Sequence, residues 1–372
     1  MVHDSPTPLI RDPQFQRIAL AISLLLAILA GGAIYWGSSQ QDTDPIEDDA
    51  PAVARNWKLE EIPFDGAAAY QWIKDLCALG SRTSGTLGMR KQQQMLTEHF
   101  RSLGGKVRLQ SWDIRHPMTG ERTTLSNLIV EWHPERKERI LLATHYDTRP
   151  FADQDPVNKK ALFLGANDGA SGVAVLCELG RHMPKLQSKY GVDFVLFDAE
   201  ELVYEEIQQQ IEAEAGDRLT WYFLGSKYFA KDYIANPPEH RYLQGALLDM
   251  VGDANLEIYY EQNSLSWADT RPILQGIWGT ARRLGVREFI ARKGHDVSDD
   301  HLAIRNDAGI PMCDIIDFDY PTEAAFRARR TYWHTTEDKP ENCSALSLAK
   351  VGWVMLEWLK TVKVEEGVRR AK

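Results

Sequence analysis

Five side chains able to bind metal occur in order along the chain: His145 in "ILLATHYD", Asp168 in "GANDGASG", Glu201 in "DFVLFDAEEL", Asp249 in "GALLDMVG" and His334 in "YWHTTED". Each lies at the end of a strand-like apolar run or in a turn. Imidazole nitrogen and carboxylate oxygen together are donors that suit zinc. Their recurrence where buried strands surface points to the carboxyl ends of a parallel sheet, the edge on which open α/β folds build their sites. Glu200 adds a carboxylate beside Glu201. Neighbouring residues project differently, so Glu201 can hold metal while Glu200 moves protons.

Each residue has an ordinary explanation when taken alone. A single histidine usually packs or sits on the surface, and paired glutamates usually form a solvated face. Asp168 suits the N-cap of a helix over 170–183. Asp147, two residues after His145, suits a carboxylate that orients a neighbouring ring or loop. The five together are better explained by a metalloenzyme than by five coincidences.

The elements that must position these residues alternate. "AAAYQWIKDLCALG" and "GMRKQQQMLTEHFRSLG" predict helices ending at Gly80 and Gly104. "KVRLQSWDI" and "TLSNLIVEW" predict a hairpin turned by "MTGER". "RILLAT", "VDFVLFD", "LQGALLD" and "IPMCDII" are short apolar runs, as central strands buried on both faces require. "GASGVAVLCELGRHM", "LGSKYFAKDYI", "PILQGIWGTARRLG" and "ALSLAKVGWVMLEWLK" have helical periodicity. This alternation predicts an α/β fold, doubly wound, with a mostly parallel sheet and helices on both faces. The acidic stretch 203–219 reads as a surface insertion or short helix outside the chemistry.

The N-terminus departs from this soluble pattern. Ile18 to Trp36 carries no charge and is long enough to cross a bilayer as a helix. Arg11 and Arg17 precede it, and the next basic residue is Arg55, so the positive-inside rule places the first seventeen residues in the cytoplasm. The predicted organisation is a cytoplasmic tail at 1–17, a transmembrane anchor at 18–37, an acidic linker at 38–56 and a catalytic domain at 57–372 outside the cytoplasm. The alternative is a secreted protein released by signal cleavage. The net charge of −10 argues against nucleic acid as a partner. Cys77, Cys177, Cys313 and Cys343 lie far apart, as buried free thiols do, with a Cys313–Cys343 bridge left open.

The ordered set "THYD", "GANDGASG", "FDAEEL", "LDMVG" and "WHTTED" resembles the zinc aminopeptidase and glutaminyl-peptide cyclotransferase superfamily over roughly residues 65–360. The resemblance implies a phosphorylase/hydrolase-like zinc exopeptidase fold acting on peptide or protein N-termini. As a cyclotransferase, converting N-terminal glutamine to pyroglutamate with release of ammonia, the chain would hold one zinc through Asp168, Glu201 and His334. As an aminopeptidase it would hold two, adding His145 and Asp249, with Asp168 bridging. Glu200 would be the proton shuttle in both.

"SDDHLAIRNDAGIP" resembles the cyclotransferase segment whose first aspartate, here Asp299, joins a carboxylate network near the substrate amine. With Asp249 it would hold charge for Glu200. Trp333 stands before His334 as the pocket tryptophan of that branch does. "NDGASG" is nearer the aminopeptidase pattern, the cysteine pair of animal cyclotransferases is missing, and the Asp317–Thr331 loop is longer than the resemblance implies. The cyclotransferase branch is favoured. A membrane-anchored binding protein with a decayed site is a third reading, opposed by the occupation of every expected position.

Overall fold

The structure is a computed structural model and describes residues 55–215, 220–328 and 330–364. The predicted tail, the anchor and nearly all of the linker lie outside the described residues. Among the described residues no helix is long and apolar enough to cross a membrane.

The strands are β1 (Lys106–Arg115), β2 (Arg122–Trp132), β3 (Glu138–His145), β4 (Gly191–Phe197), β5 (Arg241–Asp249), β6 (Ile258–Tyr260), β7 (Phe289–Lys293) and β8 (Met312–Ile316). The helices are α1 (Gly66–Ala78), α2 (Leu87–Ser102), α3 (Ser171–Gly180), α4 (Glu205–Ala215), α5 (Leu224–Ala235), α6 (Gln262–Ser266), α7 (Arg271–Leu284), α8 (Asp300–Ala308), α9 (Glu323–Arg327) and α10 (Ala345–Thr361).

The main sheet runs β1-β2-β4-β3-β5-β8. Strands β4, β3, β5 and β8 are mutually parallel. The predicted hairpin forms, with Lys106 opposite Glu131 and Arg115 opposite Arg122. A tight turn reverses the chain, so β2 meets β4 antiparallel. The sheet is mostly parallel, as the sequence predicted, with a parallel centre and an antiparallel flank built by the hairpin.

Every residue of β4 is buried, as are the last seven of β3 and the last eight of β5. Side chains alternate between faces. Leu141 and Ala143 of β3 pack with Phe229 and Ala230 of α5 and with Ile304 and Ala308 of α8. A second layer, α1, α3, α7 and α10, packs together, and all ten residues of α3 are buried. Helix α3 corrects one expectation. It begins at Ser171 behind Ala170, with no side-chain cap. Asp168 is not its N-cap, and its carboxylate is free to face the site. All four cysteines are free and buried, so Cys313 and Cys343 are not bridged. A small parallel pair, β6 and β7, completes the fold outside the main sheet.

Candidate active site

The parallel strands deliver the predicted residues to one place. His145 ends β3 and Asp249 ends β5, while Glu200 and Glu201 follow β4 by three and four residues. Asp168 lies in the loop before α3, and His334 in the loop before α10. Asp168 is the centre. Its Oδ1 lies 3.1 Å from His145 Nε2 and its Oδ2 lies 3.2 Å from His334 Nε2. His334 Nε2 is also 3.1 Å from Glu201 Oε1, and His145 Nε2 is 3.1 Å from Asp249 Oδ1. Glu200 stands aside, 3.8 Å from His145 Nδ1.

These donors fit a metal ion. Ligand atoms of His145, Asp168 and Glu201 lie within 4.8 Å of one another in a buried setting. His145 Nδ1 has no hydrogen-bond partner despite its burial. A positive group already stands among the lone pairs: Arg149 Nη1 is 2.7 Å from Glu201 Oε1 and 3.0 Å from His334 Nε2. The nitrogen and oxygen donors are those zinc accepts. Asp168, Glu201 and His334 would hold one ion, and His145 with Asp249 could take part in holding a second.

The electrostatics follow from burial. Burial opposes ionisation of Asp168, yet hydrogen bonds from His145 and His334 hold its carboxyl below the usual range. Burial pushes Glu201 up, and the charge on Asp168 adds to this. Burial raises Asp249 too, against the hydrogen bond from His145. Glu200 is pushed well above the carboxylate range by burial. Asp299 is also raised well above it, by burial and then by the charges of Asp249 and Asp300. Asp168 thus stays ionised among acids that burial keeps protonated; those acids can pass protons, and a cation placed among them would favour their ionised form.

Supporting carboxylates fix the loops. Asp147 accepts the backbone N–H of Glu200 at 3.1 Å and of Glu201 at 3.0 Å, so it orients the loop as expected. Asp338 does the same for Asn167 at 2.7 Å and Asp168 at 3.0 Å. Gly169 is required beneath them. Its φ is +94°, and a Cβ there would meet Asp147 O at 2.5 Å and His145 Cε1 at 3.1 Å.

Four of the five non-glycine residues with positive φ among the described residues belong to this site: Ala199 at 58°, Phe223 at 61°, Met250 at 48° and His334 at 57°. They turn the chain just before Glu200, at the cavity wall, just after Asp249 and at a proposed ligand. Such backbone persists only where surrounding contacts enforce it.

A cavity of about 430 Å³ opens over the cluster. Glu200, Asp249, Asp299 and His334 line it, with an apolar wall that includes Phe318 and Trp333. Sequence reasoning did not identify Arg149, Tyr222, Phe223 or Asp338. The signal for Arg149 was its place in "THYDTRPFAD", four residues from both His145 and Asp153. Glu205, in the stretch expected to lie outside the chemistry, also lines the cavity.

Comparison with known proteins decides the family. Residues 127–359 match the model of peptidase family M28. The chain belongs to that family. The glutaminyl-peptide cyclotransferase of Gloydius blomhoffii is 26% identical over 256 residues, which is 61% of this chain and 62% of that protein. The chain thus spans less than two thirds of that relative's length. The glutaminyl cyclase of Fimbriiglobus ruber is 35% identical with a TM-score of 0.72, covering 85% of this chain and all of that one. A Zn-dependent exopeptidase from Parabacteroides distasonis is 32% identical with a TM-score of 0.70, covering 80% of this chain and 98% of that one. The chain is an M28 enzyme, and its zinc-dependent neighbour supports zinc as the metal.

Proposed function

We propose that this M28 enzyme is a glutaminyl-peptide cyclotransferase, which closes N-terminal glutamine of peptides into pyroglutamate and releases ammonia. The observation that carries this reading is the placement of Asp299. It lines the same cavity as Glu200 and Asp249, is buried, and has one carboxylate oxygen free of any hydrogen bond. It makes no hydrogen bond to Asp168, Glu201 or His334, so it is an acid beside the donor cluster and outside it.

Cyclisation needs such acids. The α-amine attacks the side-chain carbonyl carbon, a C–N bond forms, and the amide C–N bond breaks as ammonia leaves. A proton must pass from the attacking amine to the departing nitrogen. Glu200 would take and return that proton, with Asp249 and Asp299 holding charge along the path. Zinc held by Asp168, Glu201 and His334 supplies Lewis acidity toward the carbonyl when bound. Trp333 and Phe318 would hold the glutamine side chain against the amine, which is the main gain in an intramolecular step. They would also keep water from competing.

The second reading is a zinc aminopeptidase, favoured by one observation. Asp168 turns an oxygen to each of two histidines, which is the arrangement a bridging carboxylate needs. Glu200 would then be general base for a water. Mass spectrometry of a Gln-initiated peptide incubated with the full chain separates the two. A full-length, amine-blocked peptide lighter by one ammonia is expected, and a peptide shortened by one residue would reject the proposal.

The same reading includes the anchor: residues 18–37 would span a membrane with the catalytic domain outside the cytoplasm. Protease added to spheroplasts should release the catalytic domain through the acidic linker. A mature chain beginning after residue 30 would instead mean cleavage.

A further inference from the structure

Among the described residues a second group of buried donors shares no member with the Asp168 cluster. Ligand atoms of Asp299, His301 and Asp314 all lie within 4.8 Å of one another. The three come from separate places: Asp299 caps α8, His301 lies in its first turn, and Asp314 sits on the edge strand β8. Glu261 closes the group from the N-cap of α6.

The group is buried but poorly satisfied. His301 and Asp314 are 0% exposed. Neither ring nitrogen of His301 and neither carboxylate oxygen of Asp314 has a hydrogen bond. The histidine is aimed at its acids all the same: Nε2 is 3.4 Å from Glu261 Oε2 and Nδ1 is 3.7 Å from Asp314 Oδ2. Asp299 Oδ1 accepts the Asp300 N–H at 2.5 Å, which leaves Oδ2 free. Glu261 alone is well provided, accepting backbone N–H groups of Asn263, Ser264 and Val297.

Three carboxylates and one imidazole carry a deficit of positive charge. Burying carboxylates without a partner is expensive, and groups in that position are paired or coordinate metals. Burial holds Asp314 and Asp299 well above the carboxylate range, and neighbouring carboxylates push both further. Metal–donor bonds of about 2.0–2.2 Å place donors roughly 3–4 Å apart. The donor atoms of Asp299, His301 and Asp314 lie within 4.8 Å of one another, near that spacing. An imidazole nitrogen among carboxylate oxygens suits a first-row divalent ion better than calcium.

We propose that Asp299, His301 and Asp314, backed by Glu261, form a second, buried divalent-cation site that accepts zinc or manganese and fastens β8 to the starts of α6 and α8. This site shares no ligand with the Asp168 cluster, although Asp299 also serves the reaction proposed above. Because Asp299 also lines the cavity, the ion would fix the direction of that carboxylate from behind.

The experiment counts ions in the full chain after loading with zinc or manganese and dialysis. Asp168→Ala removes the carboxylate shared by both active-site histidines. About one ion per chain should remain in that variant, and adding Asp314→Asn or His301→Gln should remove it. A chelator should lower the melting temperature of Asp168→Ala and leave the double variant unchanged. If Asp168→Ala folds poorly, Asp314→Asn in the otherwise unaltered chain should lower the count by one. An Asp168→Ala protein that holds no ion overturns the site, as does an ion count that Asp314→Asn leaves unchanged in either background. In that event shared protons, and not a metal, satisfy the cluster.

Discussion

The Trp333 indole lies against the His334 imidazole, with ring centroids 3.6 Å apart and planes 28° from parallel. The stack joins the apolar wall of the cavity to the donor cluster, so the side chain proposed to contact substrate also steadies a proposed ligand. Trp333→Ala should raise KM by about tenfold and change kcat less, because an aromatic wall binds ground and transition states nearly alike. Steady-state kinetics with a Gln-peptide would show it. A fall in kcat with KM unchanged would assign Trp333 to the chemical step.

Glu200 and Glu201 are adjacent in sequence and differ in surroundings. Glu201 meets His334 and Arg149 at 3.1 and 2.7 Å, while Glu200 faces the cavity and His145 Nδ1. Glu200→Gln should retain zinc and the fold yet slow turnover by about 10²-fold or more. Glu201→Gln should weaken zinc binding, and His334→Ala should remove most of the active-site metal together with the activity. Elemental analysis beside kcat decides this, and reversed behaviour of the two glutamates would exchange their roles.

Glu178 gives a pH test away from the site. It is buried on α3, 2.9 Å from Arg181. Burial pushes its carboxyl up to about 7, against the opposing charge of Arg181 and with a smaller upward push from Asp65. Its ordinary value is near 4.3. A group raised on folding prefers its protonated form in the folded state. Below about pH 4 both states are protonated and the group costs nothing. From there to about pH 7 the unfolded chain releases the proton more readily, so stability falls as pH rises. Glu178→Gln should therefore raise the melting temperature by a few degrees at pH 8 and leave it nearly unchanged at pH 4.5. Equal shifts at both values would show that the change acts through packing.

Much of this was legible because the donors stand where strand patterns end. "FVLF" and "GALL" are too apolar for exposed strands, so the acids that follow them had to emerge at a sheet edge. The hairpin was legible from its alternation and its turn. The antiparallel flank was legible only as a hairpin, since nothing in "TLSNLIVEW" shows that its far side pairs with β4. Asp168 was legible as a donor and misleading as a cap, because a helix start and a site loop use the same residue types. Arg149 was hidden because arginine is usually exposed, and here Glu201 and Asp153 hold it inside. The Asp299–His301–Asp314 cluster joins α8 to β8 through tertiary packing, which no local spacing encodes.

The central claim concerns which bond this M28 enzyme makes and which it breaks. The most direct measurement incubates the full chain, loaded with zinc, with a Gln-initiated and a Leu-initiated peptide in parallel, reading ammonia against free amino acid. The account predicts ammonia and a blocked peptide from the first and no leucine from the second. Leucine release without ammonia from the Gln-peptide would contradict it and make the enzyme an aminopeptidase.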